Sequence, residues 1–123
     1  MAVSDDFVNF VVDQLSRWGP VSIRRMFGGA GLYRDGKMFG LIADDVAYLK
    51  VDDSNRDDFV KAGSSPFNPF PEKVKTIVMS YYEIPPEVLE NPDELAQWAE
   101  RSLAIQAKAS SKITDDSDGH IRS

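Results

Sequence analysis

The chain has no cysteine and a single histidine in its 123 residues. Without thiols there is no disulfide, no thiolate zinc site and no cysteine nucleophile. The one imidazole, His120, stands in a polar run near the C-terminal end. Alone there it supplies neither a metal-ligand set nor the base of a Ser-His-acid triad. Long apolar runs are also missing, so no stretch reads as a membrane span. The opening residues, MAVSDDFVNF, begin with acids rather than with a basic region followed by an apolar one, unlike a secretory signal. Positive charge is scarce: 14 basic residues face 20 acidic ones, a net charge of −6. That balance weighs against a protein whose main work is neutralising phosphates. These absences lead to the expectation of a cytoplasmic protein with no membrane segment, no metal and no cofactor.

What is present is ordinary in bulk. Apolar residues make up 42% and charged residues 28%, the composition of a globular protein of one domain. The charge is uneven, however. Residues 17 to 37 carry Arg17, Arg24, Arg25, Arg34 and Lys37 against Asp35 alone. Inside that basic stretch begins the run RRMFGGAGLYRDGKMFGLI, Arg24 to Ile42. Its glycines invite a phosphate-loop reading, but a dinucleotide fingerprint needs glycine where Arg34 stands, and a helix after it. No Lys-Ser/Thr pair follows for a P-loop. A tight corner between strands is the simpler account.

Periodicity organises the rest. Ser4 to Trp18 reads as a helix, with Phe7, Phe10, Val11, Leu15 and Trp18 as its apolar stripe, Ser4 as N-cap, Asp5 and Asp6 in the first turn and Val3 with Val8 as a staple. Four strand candidates follow, centred on VSIRRMF, AGLYR, KMFGLIA and VAYLKV, joined by Gly28-Gly29, Asp35-Gly36 and Asp44-Asp45. Connections this tight make an antiparallel meander, and Asp-Gly signals a type I′ hairpin. Asp53 or Ser54 caps a short helix ending at Gly63. Residues 64 to 73 hold three prolines, which exclude regular helix and interior strand. VKTIVMSYYEI is a further strand, Pro86 to Leu89 one helical turn, and Asn91-Pro92-Asp93-Glu94 a capped start for the last helix. Leu95, Trp98, Ala99, Ser102, Leu103 and Gln106 form that helix's apolar face. Residues 108 to 123 are poor in core formers and are expected to be a disordered tail, leaving one domain over residues 1 to 107. There is no internal repeat. The predicted fold is α+β: a two-layer sandwich in the order α-β-β-β-β-α-β-α, an antiparallel sheet of about five strands with helices mainly on one face.

Candidate chemistry is sparse. Adjacent acids such as Asp44-Asp45, Asp52-Asp53 and Asp57-Asp58 suit turns and caps, and no carboxylate is marked as buried and perturbed, so the chain is expected not to be an enzyme. Arg24 and Arg25, adjacent on a strand, face opposite sides of the sheet. Lys50 lies inside a strand pattern and needs its head in water. Alternation allows one sheet face to gather Tyr48, Lys50, an arginine and one of Tyr81 and Tyr82, with Phe27 nearby, as a mixed aromatic and basic surface for a partner.

Together, Met26-Phe27-Gly28-Gly29, Gly31-Leu32-Tyr33, Tyr48-Leu49-Lys50, Pro66-Phe67, Tyr81-Tyr82 with Pro85, and Leu95 with Trp98-Ala99 closely resemble the N-terminal domain of TfoX/Sxy regulators. The resemblance runs in order from the first helix to Ala107. It implies an α+β domain of bacterial competence regulators, which act as co-activators with the cyclic-AMP receptor protein rather than as enzymes. Longer members carry a second helical domain, and here only sixteen residues follow the resemblance. No catalytic or ligand residue transfers. The expected role is therefore protein–protein contact in transcriptional regulation, as a monomer or homodimer. Two alternatives stand beside it: direct nucleic-acid binding through the basic 17–37 region, and a small ligand held between helices and sheet near Phe27, Tyr48 and Tyr81.

Overall fold

The computed structural model describes residues 4–26, 28–70, 72–73 and 76–122, with side chains through Ala109. Helix α1 (Asp5–Leu15) leads into strands β1 (Ser22–Met26), β2 (Gly29–Arg34), β3 (Lys37–Ala43) and β4 (Val46–Lys50). Then come α2 (Arg56–Lys61), β5 (Pro66–Phe67), β6 (Val78–Glu83), α3 (Pro86–Leu89) and α4 (Pro92–Arg122). The strands form one antiparallel sheet in the order β1-β2-β3-β4-β6-β5. The fold is α+β as expected, with six strands where about five were foreseen. The sixth is the Pro66–Phe67 pair, which sits on the sheet edge, where a missing proline N–H costs no ladder bond.

Turn chemistry fixes the meander. Asp35 and Gly36 take φ of 54° and 76°, and Asp44 and Asp45 take 55° and 58°, so both hairpins have the double positive φ of a type I′ turn. Met26 pairs with Gly29, and Gly28 turns this corner at φ 70°. Beyond Leu32 the β2–β3 register slips: Leu32 faces Gly40 but Tyr33 faces Met38, so Phe39 is the extra residue of a bulge.

Every helix packs on one side of this sheet. Val8, Val11 and Leu15 of α1 and Leu95 and Ala99 of α4 meet Leu32, Phe39, Ile42, Leu49, Tyr82 and Ile84 in a single core. The stripe of α1 is corrected in one place: Phe10 is 40% exposed, and Val8 takes the core position. Val8, Val11 and Leu15 follow i, i+3, i+7 spacing, which leaves Phe10 on the helix flank beside Phe7. Val3, the other half of the staple, lies outside the described residues. Ser4 caps as expected, its Oγ accepting from the Phe7 N–H at 3.1 Å, while its own N–H donates to Asp45 at 2.8 Å and ties the helix start to the β3–β4 turn. Asn91 caps α4 by accepting from the Glu94 N–H at 3.2 Å.

The cap of α2 differs from the sequence expectation. Asn55 holds the N-cap position without a side-chain cap bond, because its amide turns back to the end of β4. There Asn55 Nδ2 donates to the Lys50 carbonyl at 3.2 Å and its Oδ1 accepts from the Asp52 N–H at 2.9 Å. The same Lys50 carbonyl accepts the buried Ser102 hydroxyl of α4 at 2.8 Å. One strand-end carbonyl thus fastens both helices to the sheet. On α4, Ile105 joins the buried face, and the helix runs to Arg122 through the segment assigned to a tail, which contains no proline. Among the described residues no helix is long and apolar enough to cross a membrane.

Candidate functional site

Because the helices crowd one side, the other side of the sheet is covered, among the described residues, by side chains of the strands themselves. The register gives its composition. Arg24, Gly31, Leu41, Tyr48 and Glu83 are successive cross-strand partners, so they share that face. Ser22, Tyr33 and Met38 form a second row, and Lys50 pairs with Tyr81. Around Gly31 the surface closes through its neighbours: a Cβ there would meet the side chains of Tyr33, Met26 and Met38 at 2.8, 3.0 and 3.1 Å. Tyr48 stacks edge-on against Phe67, ring centroids 4.9 Å apart. Met79, two residues before Tyr81, continues the face and is 50% exposed.

The two cations of this face lie on aromatic rings. The Arg24 guanidinium sits 4.9 Å from the Tyr33 ring centroid, and the Lys50 ammonium 5.1 Å from that of Tyr81. Both tyrosine hydroxyls flanking Lys50 are hard to ionise. Burial raises the pKa of Tyr48, helped by the nearby Glu83 and Asp44 carboxylates, and burial followed by the neighbouring Tyr33 raises that of Tyr81. At neutral pH these phenols are neutral hydrogen-bonding groups rather than bases.

Of the residues expected at a partner surface, the structure brings Arg24, Tyr48, Lys50 and Tyr81 together. Tyr82 is not with them: it is 4% exposed and packs in the core against Phe59, because alternation sends it to the helix side. Arg25 also points away, pairing with Asp5 of α1 at 2.5 Å. Phe27 lies outside the described residues. Tyr33, Met26, Met38, Leu41, Phe67 and Met79 belong to the face and were not among the site candidates read from sequence.

The two alternative sites look different in three dimensions. The basic 17–37 segment is no continuous surface: Arg17 pairs with Asp93, Arg25 with Asp5, and Arg34 lies over Trp18 at 4.3 Å, donating to its carbonyl at 3.3 Å. Tyr48 and Tyr81 stand on the side of the sheet away from the helices, so no space between helices and sheet is lined by them. Two clefts lie elsewhere among the described residues. One of about 240 Å³ lies among Phe7, Phe10, Val46, Ile84 and Leu89, and one of about 370 Å³ beside Val12, Ser16 and Gly19–Val21. Among the described residues no cluster of three metal-ligating side chains occurs.

Residues 13–106, from the last turn of α1 through the described core positions of α4, match the TfoX N-terminal domain. The chain belongs to the TfoX N-terminal domain family. Within this TfoX N-terminal domain, the glycine run does structural work. A Cβ at Gly29 would sit 2.4 Å from the Ile42 carbonyl oxygen, whereas Gly31 leaves room for the Tyr33–Met26–Met38 cover. The domain is also similar to an uncharacterized 12.7 kDa protein in the trpE 5' region of Spirochaeta aurantia, 39% identical over 59 residues. That stretch is 48% of this chain and 51% of the relative, so it spans about half of each.

Proposed function

We propose that this TfoX N-terminal domain is a non-enzymatic, cytoplasmic adaptor in transcriptional regulation that docks a partner protein on the open face of its sheet. The observation carrying this reading is the face itself: Arg24, Tyr33, Tyr48, Lys50 and Tyr81 converge on a side of the sheet that none of its helices covers. Aromatic, methionine and arginine side chains are the types enriched at protein interfaces. Family membership supports a regulatory role, since full-length relatives are competence regulators working with the cyclic-AMP receptor protein. The test is co-purification of the tagged domain with that receptor protein and RNA polymerase, comparing the natural chain with Tyr48→Ala/Tyr81→Ala. Retention by the natural chain and loss in the variant is the expected result. Equal retention by both, or by neither, removes the reading.

A further inference from the structure

The partner's chemistry is legible in how the face treats charge. Arg17, Arg25, Arg56 and Arg101 each have an aspartate as ion-pair partner. Arg24 and Lys50 form no ion pair among the described residues, and each rests on a tyrosine ring, as Arg34 rests on Trp18 on the helix side. In a chain with net charge −6, this face thus offers two cations that hold no ion-pair partner among the described residues, with Glu83 the acid in the same rows. Between them, in the row from Arg24 to Tyr48, lie only Gly31 and Leu41, with Met26 and Met38 alongside. Three strand spacings of about 4.8 Å separate β1 from β4, roughly 14 Å, which about four residues of extended chain span.

Resting on the docking reading above, we propose that the face receives an acidic, extended segment of the partner, crossing the strands. One carboxylate meets Arg24, another meets Lys50, and the apolar residue between them lies on Leu41 and the methionines. Glu83, at the far end of the Arg24 row, repels a carboxylate placed beyond Tyr48 and so limits the footprint. Single-stranded nucleic acid fits less well. Bases stack on free aromatic faces, and here the Tyr33 and Tyr81 rings already carry cations. A second copy pairing through the β1 edge would set the Arg24 and Arg25 side chains of two strands side by side, a like-charge arrangement that destabilises cross-strand pairs.

The experiment is a titration of the full chain with a labelled peptide of about ten residues in which glutamate and leucine take every second position in turn, with serine between them, so that both fall on one side of an extended chain long enough to cross the face at about 3.4 Å per residue. Its lysine counterpart and an oligothymidylate of similar length run in parallel. Anisotropy reads affinity, and amide shifts read location. The glutamate peptide is expected to bind, to weaken with salt, and to move amides of β1 to β4 and β6. Arg24→Glu/Lys50→Glu should weaken it by about tenfold or more, the scale of about 1.4 kcal/mol, and admit the lysine peptide. Lys61→Glu/Lys108→Glu, the same change of charge elsewhere, should leave it unchanged. Arg24→Gln/Lys50→Gln repeats the loss should the reversed pair not fold. No binding of the glutamate peptide, binding indifferent to reversal, or preference for oligothymidylate overturns the inference. The docking reading fails separately. If the reversed variant still retains the protein partners that Tyr48→Ala/Tyr81→Ala loses, docking stands and the acidic segment does not. If no partner is retained by any variant, docking falls, and the peptide titration alone judges the face.

Discussion

Replacing Gly40 by alanine asks whether the sheet has room for one methyl group. Gly40 of β3 pairs with Leu49 of β4, and an added Cβ would lie 2.5 Å from the Tyr48 carbonyl oxygen, with Leu32 Cδ1 at 3.2 Å and Leu49 Cδ2 at 3.4 Å. Carbon and carbonyl oxygen rest no closer than about 3.3 Å. The methyl must therefore push away the backbone of the neighbouring strand by roughly 0.8 Å. That carbonyl belongs to the β4 ladder, flanked by the fully buried Leu49. Overpacking of this kind costs about 1–3 kcal/mol, and a stretched ladder bond adds about 1 kcal/mol. The expected loss for Gly40→Ala is about 3 kcal/mol, out of a domain stability of order 5–15 kcal/mol. Gly31→Ala is the control. Its Cβ meets only side-chain ends, Tyr33 Cε1 at 2.8 Å, Met26 Cε at 3.0 Å and Met38 Sδ at 3.1 Å, and these can swing aside. Its stability should change by less than about 1 kcal/mol, with some compensation from a stiffer unfolded chain. Urea unfolding followed by circular dichroism reads both, with an unchanged slope confirming that stability alone moved. A Gly40→Ala midpoint equal to the natural chain's, or an equal loss in Gly31→Ala, would refute the account of the glycines as a matter of backbone approach.

The shared Lys50 carbonyl predicts unequal costs for its two donors. Ser102→Ala leaves Asn55 still bonded to that carbonyl and should cost about 1 kcal/mol, whereas Asn55→Ala also strips the Asp52 N–H and should cost about 2 kcal/mol. The double variant, which orphans the carbonyl, should lose more than the sum of the two in denaturation. The raised pKa values of Tyr48 and Tyr81 predict an alkaline loss. The unfolded chain gives up these protons near pH 10 while the folded one keeps them, so stability is whole below about pH 10 and declines as pH rises further. Urea midpoints for Tyr48→Phe/Tyr81→Phe should fall less steeply above pH 10 than those of the natural chain; parallel slopes would count against burial as the cause.

Much of the architecture was readable because local rules and the global fold agree. Asp35-Gly36 and Asp44-Asp45 specify their turns by backbone conformation, and Ser4 and Asn91 cap as their chemistry directs. Period-two alternation was enough to group Tyr48 and Lys50 with one residue of the Tyr81-Tyr82 pair. Choosing between those two needed register, which comes from pairing with β4 rather than from the β6 sequence. Met38 was hidden for a sharper reason. The bulge at Phe39 shifts the parity of β3, so Met38 and Leu41, three residues apart, face the same way. Nothing in KMFGLIA announces that extra residue. Asn55 was missed as a strand fastener because its type suits a helix cap equally well, and only the nearness of Lys50 to both α2 and α4 decides between the roles.

The sheet order carries a consequence for how the surface comes into being. β1 to β4 are joined by hairpins and can pair early, whereas β6 reaches β4 only after the chain from Val51 to Ile77 has looped back, a closure of low local probability. Lys50 finds the Tyr81 ring, and Tyr48 finds Phe67, only once that closure is made. Half of the face is therefore built by the last strands to arrive. A partner that grips both Arg24 and Lys50–Tyr81 would favour the closed sheet by mass action, so that engagement and completion of the fold support one another.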